Sequence, residues 1–90
     1  MSQPKVVIYS TRLCPYCDLA KLIMRKKKVE FEEIDASEAG VREAMIQRAG
    51  GRRTVPQIFI GDFHVGGYDD LHRLDKEGQL DRLLAGETIA

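Results

Sequence analysis

Residues 6–17 read Val6-Val7-Ile8-Tyr9-Ser10-Thr11-Arg12-Leu13-Cys14-Pro15-Tyr16-Cys17, an apolar run, a polar break and the only two cysteines in 90 residues. From Lys5 to Ser10 the run is β-branched and aromatic without polar alternation, which is the pattern of a strand buried on both faces of a parallel or mixed sheet. Pro15 suits the first position of a helix, where its fixed φ and missing N–H cost nothing. The stretch therefore predicts a strand turning into a helix, with Cys14 as the cap and Cys17 one turn further on. The two sulfurs then face each other.

That placement has chemical consequences. A free thiol titrates near ~8.5, leaving about 3% thiolate at neutral pH, and a helix N-terminus with a nearby cation lowers that value. Arg12 is the available cation. Complete ionisation gains at most ~30-fold, while a pKa lowered by roughly 3 units loses on the order of 20-fold in intrinsic nucleophilicity. The two effects nearly cancel for attack. What remains is that Cys14 becomes a good leaving group when its own disulfide is broken, which permits turnover. A structural bond at this spacing would close a four-residue loop, worth only ~2 kcal/mol in the chain-entropy model. A zinc site would have to recruit His64 and His72, which lie further apart than the roughly 3–5 intervening residues of a ligand pair. Redox catalysis is therefore the favoured reading of the pair.

Outside this stretch the composition excludes several classes. Lys plus Arg and Asp plus Glu each number 14, so the formal net charge is zero and there is no electrostatic footprint for nucleic acid. Hydrophobic residues at 43% and charged residues at 31% are ordinary for a globular chain, and 90 residues suit a single domain, 1–90. Met1-Ser2-Gln3-Pro4-Lys5 leads into an apolar stretch shorter than the ~7–15 residues of a signal-peptide core or the ~20 of a membrane span. A cytoplasmic, reducing location is expected, with no membrane partner. There a Cys-x-x-Cys pair is more often catalytic or metal-binding than structural.

In chain order, a helix is predicted over residues 15 to about 27, with Leu19, Leu22 and Ile23 as its apolar stripe. The run Arg25-Lys26-Lys27-Lys28 is read as a solvated end that complements the helix dipole. Val29 to Asp35 reads as an edge strand, with Val29 and Phe31 alternating against glutamates. Asp35 or Ser37 caps a second helix with the stripe Val41, Ala44, Met45 and Ala49, closed by Gly50-Gly51. Two apolar runs joined by Gly61-Asp62 form a hairpin. Leu71 and Leu74, then Leu80, Leu83 and Leu84, mark two short final helices ending at Gly78 and Gly86.

Three motifs stand in register: Cys14-Pro15-Tyr16-Cys17 after the first strand, Thr54-Val55-Pro56 before the third, and Gly66-Gly67-Tyr68-Asp69-Asp70 before a helix. In this order the chain resembles the glutaredoxins, in detail the bacterial dithiol type, of the thioredoxin-like superfamily. The resemblance implies an α/β thioredoxin-like fold, a four-stranded mixed sheet in the order βαβα-ββα flanked by helices, with an extra C-terminal helix. It implies a glutathione-dependent thiol–disulfide oxidoreductase with Cys14 and Cys17 catalytic. Glutathione is then the co-substrate, glutathionylated or disulfide-containing proteins are the partners, and no metal is expected. A monomer is expected.

The same resemblance implies a glutathione site made of Arg12, Tyr16, Thr54, Val55, Pro56, Gly67, Tyr68 and Asp69. It implies a cis Pro56 that presents the Val55 backbone to an extended ligand. The N–H groups at the helix start after Gly67 would bind the γ-glutamyl carboxylate, with Asp69 pairing the amino group, while the residues by themselves read as a hairpin exit at Gly66-Gly67 with Asp69 or Asp70 as a routine N-cap. Arg12 would meet the glycine carboxylate and Tyr16 would flank the ligand. Arg52 and Arg53 either steer anionic glutathione or follow the helix end, the second reading being slightly favoured, and His64 and His72 are read as surface or hairpin residues. Two alternatives share the fold. An iron–sulfur carrier is disfavoured by Pro15 where such relatives have glycine, and a thioredoxin is disfavoured by the absence of tryptophan.

Overall fold

The computed structural model describes residues 3–87. Its elements are β1 (Val6–Ser10), α1 (Pro15–Lys26), β2 (Glu32–Asp35), α2 (Ala39–Arg48), β3 (Gln57–Ile60), β4 (Phe63–Gly66), α3 (Tyr68–Lys76) and α4 (Gln79–Leu84). The strands form one mixed sheet in the order β2-β1-β3-β4. β1 pairs parallel with β2 and antiparallel with β3, and β3–β4 is the expected hairpin, turning at Gly61.

Every residue of β1 is buried because the sheet is covered on both faces. Val6 and Ile8 point to one core with Ala20 and Met24 of α1, Leu71 of α3, and Leu80 and Leu83 of α4. Val7 and Tyr9 point to the other, with Met45, Ile46 and Ala49 of α2 and Phe59 of β3. Alternation along one strand thus serves two helical layers. No helix among the described residues is long and apolar enough to cross a membrane.

Local details depart from the sequence expectations. In α1 the buried face is Cys17, Ala20 and Met24, whereas Leu19 and Leu22 are exposed and Ile23 packs at the margin. Ala20 is fully buried in the cluster with Val6 and Ile8, so the stripe is rotated from the one the leucines suggest. Strand β2 starts at Glu32, with Val29 and Phe31 packing against the core ahead of it rather than within it. Its edge position holds, and Glu33 accepts from Ser10 Oγ at 2.6 Å and from Lys21 Nζ at 2.8 Å. Asp35 does not cap α2. Its Oδ1 accepts from the backbone and hydroxyl of Ser37 in a turn ahead of the helix, and Glu38 stands at the N-cap. Ala44 is exposed, and Ile46 takes its place in the buried face. Lys27 is not simply solvated either, since it bridges Asp75 of α3 and Asp81 of α4, each at 2.9 Å.

Candidate active site

Helix α1 begins as the proline and cysteine spacing requires. Cys14 is the N-cap with extended backbone, and its Sγ accepts from the Cys17 N–H at 3.2 Å. The two sulfurs are paired across a Cα–Cα distance of 5.2 Å. They are not equivalent: Cys17 is fully buried and Cys14 is partly exposed, beside the wholly exposed Leu13. Only Cys14 can be reached by a sulfur arriving from solvent. Among the described residues no three His, Cys, Asp or Glu side chains gather as a metal site.

A cleft of about 310 Å³ opens beside this helix start. One wall is Thr54-Val55-Pro56, with the Val55–Pro56 peptide cis. The opposite wall is the start of α3, with Gly67, Tyr68 and Asp69. Tyr16, exposed between the cysteines, closes one end, its ring 5.8 Å from that of Tyr68. Tertiary structure therefore unites three motifs, the outer two more than half the chain apart.

Asp70 and Arg52 organise the α3 wall. Asp70 Oδ2 accepts from the Gly67 N–H at 2.9 Å and from Arg52 Nη1 at 3.0 Å. Burial works to raise the pKa of Asp70, but the Gly67 N–H and the Arg52 guanidinium outweigh it and hold the carboxyl below its ordinary range. Gly66, at φ 109, has the backbone conformation that L side chains rarely adopt, and a Cβ there would run into Arg52 and Asp70. Only glycine lets these two groups close over the strand end.

Of the residues expected in the site, Tyr16, Thr54, Val55, Pro56, Gly67, Tyr68 and Asp69 line this one cleft. Arg12 does not. It lines a separate depression with Asp18, Lys21, Glu33 and Asp35, on the other side of the Cys14 loop. Sequence reasoning ranked Arg52 as a helix-end cation, whereas the structure brings it to the cleft, and it offered Asp69 or Asp70 as the N-cap, whereas Gly67 is the cap and Asp70 accepts its N–H from the third helical position. The spacing of Asp70 three residues after Gly67 is the signal that could have found it. His64 is also more than a hairpin residue, being half-buried and bonded to Gln57.

Residues 6–65 match the family model described as glutaredoxin. The chain is 51% identical over 81 residues to glutaredoxin 1 of Rickettsia prowazekii, an alignment spanning 88% of this chain and 85% of that one. The chain belongs to the glutaredoxin family. The solution structure of glutaredoxin from Brucella melitensis matches with a TM-score of 0.84 at 49% identity, covering 99% of this chain and 98% of that one. A crystal structure of the buckwheat glutaredoxin–glutathione complex matches with a TM-score of 0.82 at 30% identity, covering 93% and 78% respectively. As a glutaredoxin with both cysteines, the chain is a thiol–disulfide oxidoreductase of the glutathione-dependent kind, and Cys14–Cys17 is its redox pair. The fold expected from the three motifs is the fold of these neighbours, including the additional C-terminal helix.

Proposed function

We propose that the chain, acting as a single monomeric domain in a reducing cytoplasm, uses glutathione as co-substrate to reduce glutathionylated and disulfide-containing proteins. The thiolate of Cys14 attacks the glutathionyl sulfur of a protein–glutathione mixed disulfide. The protein thiolate leaves and Cys14 carries the glutathionyl group. A second glutathione thiolate then attacks that group, forming glutathione disulfide and releasing the Cys14 thiolate. With a protein disulfide, Cys17 attacks the Cys14 sulfur instead, expels the client thiolate and forms the Cys14–Cys17 bond, which two glutathiones reduce. The burial asymmetry of the pair supports this order, because the exposed sulfur meets the substrate and the buried one can act only on its neighbour.

The cleft fits the glutathionyl group in three places. The Val55 backbone pairs with the peptide of the ligand as a short added strand. The first N–H groups of α3 lack intrahelical partners and meet the γ-glutamyl carboxylate, while Asp69 pairs its amino group. Arg52, which lines this cleft where Arg12 does not, offers its guanidinium beside the α3 start to a carboxylate of the ligand. Tyr16 and Tyr68 form the apolar rim beside the reacting sulfur.

The testing experiment is reduction of a small glutathione mixed disulfide, coupled through glutathione reductase and NADPH. Cys17→Ser retains turnover on this substrate and loses it on a protein disulfide. Absence of turnover in both the parent and Cys17→Ser would rule out glutathione chemistry at Cys14.

A further inference from the structure

Among the described residues the buried polar side chains are Ser10 and Gln57, and Gln57 follows directly after Pro56. A buried amide is costly unless its groups are paired. Gln57 Nε2 donates to the Thr54 carbonyl at 3.0 Å and reaches Thr54 Oγ1 at 3.3 Å, and Oε1 lies 2.7 Å from His64 Nε2. The carbonyl dictates the polarity of this chain. It can only accept, so the amide nitrogen must face it, and the amide oxygen is left facing His64. That oxygen also only accepts, so His64 carries a proton on Nε2. The relay runs from His64 through Gln57 to Thr54.

His64 is itself held. Its ring stacks on Phe59 with centroids 4.7 Å apart, and the Arg48 guanidinium lies 4.1 Å from the Phe59 centroid. Burial, together with Arg52 and Arg48, holds the His64 pKa below its ordinary value against the opposing charge of Asp70, which favours the neutral ring.

The consequence lies across one peptide plane. The Thr54 carbonyl and the Val55 N–H belong to the same trans unit, in which they point in opposite directions. With the carbonyl drawn inward by Gln57, the Val55 N–H is turned outward, and it has no acceptor among the described residues. We propose that Gln57 and His64 are positioning residues, which hold the Val55 N–H toward the cleft and so raise the preference of Cys14 for glutathione over thiols that lack a peptide. The inference rests on the pairing of Val55 with glutathione given above.

The test uses the full chain carrying Cys17→Ser, with Cys14 as its glutathione mixed disulfide, equilibrated against 2-mercaptoethanol. In this exchange the mercaptoethanol thiolate displaces glutathione from Cys14 with no net oxidation, and mass spectrometry gives the ratio of the two adducts. The parent favours glutathione. His64→Phe, which keeps a stacked ring without a donor, and Gln57→Met, of similar length without an amide, lose about three- to tenfold of that preference, the scale of one hydrogen bond. General loosening would lower the unfolding midpoint of the chain as well, so a changed ratio at an unchanged midpoint in His64→Phe reports positioning. Ratios within about twofold of the parent in both variants would overturn the positioning role while leaving the glutathione site intact. A parent without preference would overturn the Val55 pairing and the positioning role with it. If Gln57→Met does not fold, His64→Phe at its half-buried position decides alone.

Discussion

Two helices bring their N-termini to the same cleft, and each satisfies its first N–H groups differently. In α1 the cap is the Cys14 sulfur, which accepts from the Cys17 N–H and is also the atom that reacts. In α3 the cap position is a glycine, and the acceptor is the Asp70 carboxylate from inside the helix, tied to Arg52. The first arrangement leaves the cap free to change its bonding during catalysis. The second is locked by a charge pair, so the helix start can present its remaining N–H groups without altering shape. On the proposed function, chemistry belongs to one helix start and recognition to the other.

Exchanging the caps separates these duties most sharply. Cys14→Ser keeps a side chain that is itself a favoured N-cap, so thermal unfolding shifts little from that of the reduced parent while turnover of glutathione mixed disulfides falls to background. Loss of stability comparable to the loss of activity would mean that the α1 start is structural as well as chemical. Asp70→Ala acts the opposite way. It removes an N-terminal cap worth about 1 kcal/mol and releases Arg52, so the unfolding midpoint falls. KM for glutathione rises about tenfold, with the reactivity of Cys14 toward a small alkylating agent unchanged. Between the two arginines, Arg52→Ala raises that KM about fivefold and Arg12→Ala less than twofold, the scale expected for one partly exposed charged hydrogen bond. Equal effects would return Arg12 to the site.

Acid provides the smallest effect and the finest distinction. Asp70 is held below its ordinary value of 3.8 and Glu33 below 4.5, Glu33 chiefly through Lys21 and Ser10. A depressed carboxyl contributes stability that is present above its unfolded pKa and lost as pH falls through the lower folded value. Stability therefore begins to decline as pH falls into the usual carboxylate range, near the unfolded values, and goes on falling through the lower folded ones, and Asp70→Asn flattens part of that decline. Lys21 is raised above 10.5, first through Glu33, so its contribution is lost only as pH climbs beyond that value. Urea midpoints measured from pH 2 to 5 check the acid limb.

Much of this was legible along the chain because the signals are local. Proline after Cys14, the unbroken apolar run before it, and the glycines closing the later helices each act within one turn. The misread features were angular or long-range. Leu19 and Leu22 outweigh Ala20 by hydrophobicity, yet the helix buries Cys17, Ala20 and Met24 and leaves both leucines exposed, an orientation set by packing against the rest of the fold. Arg52 looked like a helix-end cation because its partner, Asp70, stands 18 residues away. His64 showed no partner because Gln57 meets it only across the β3–β4 hairpin.

The sequence by itself determined the redox pair, the two-faced central strand and the order of elements, since each depends on neighbours within a few residues. Only the tertiary structure decided which arginine serves the cleft, which cysteine is shielded, and how Gln57 aims a backbone N–H. Those outcomes depend on the sheet order β2-β1-β3-β4, which sets β3 and its preceding loop beside the start of α1 and brings α3 back against them. Distances between side chains far apart in sequence are set by packing, and no local pattern encodes them.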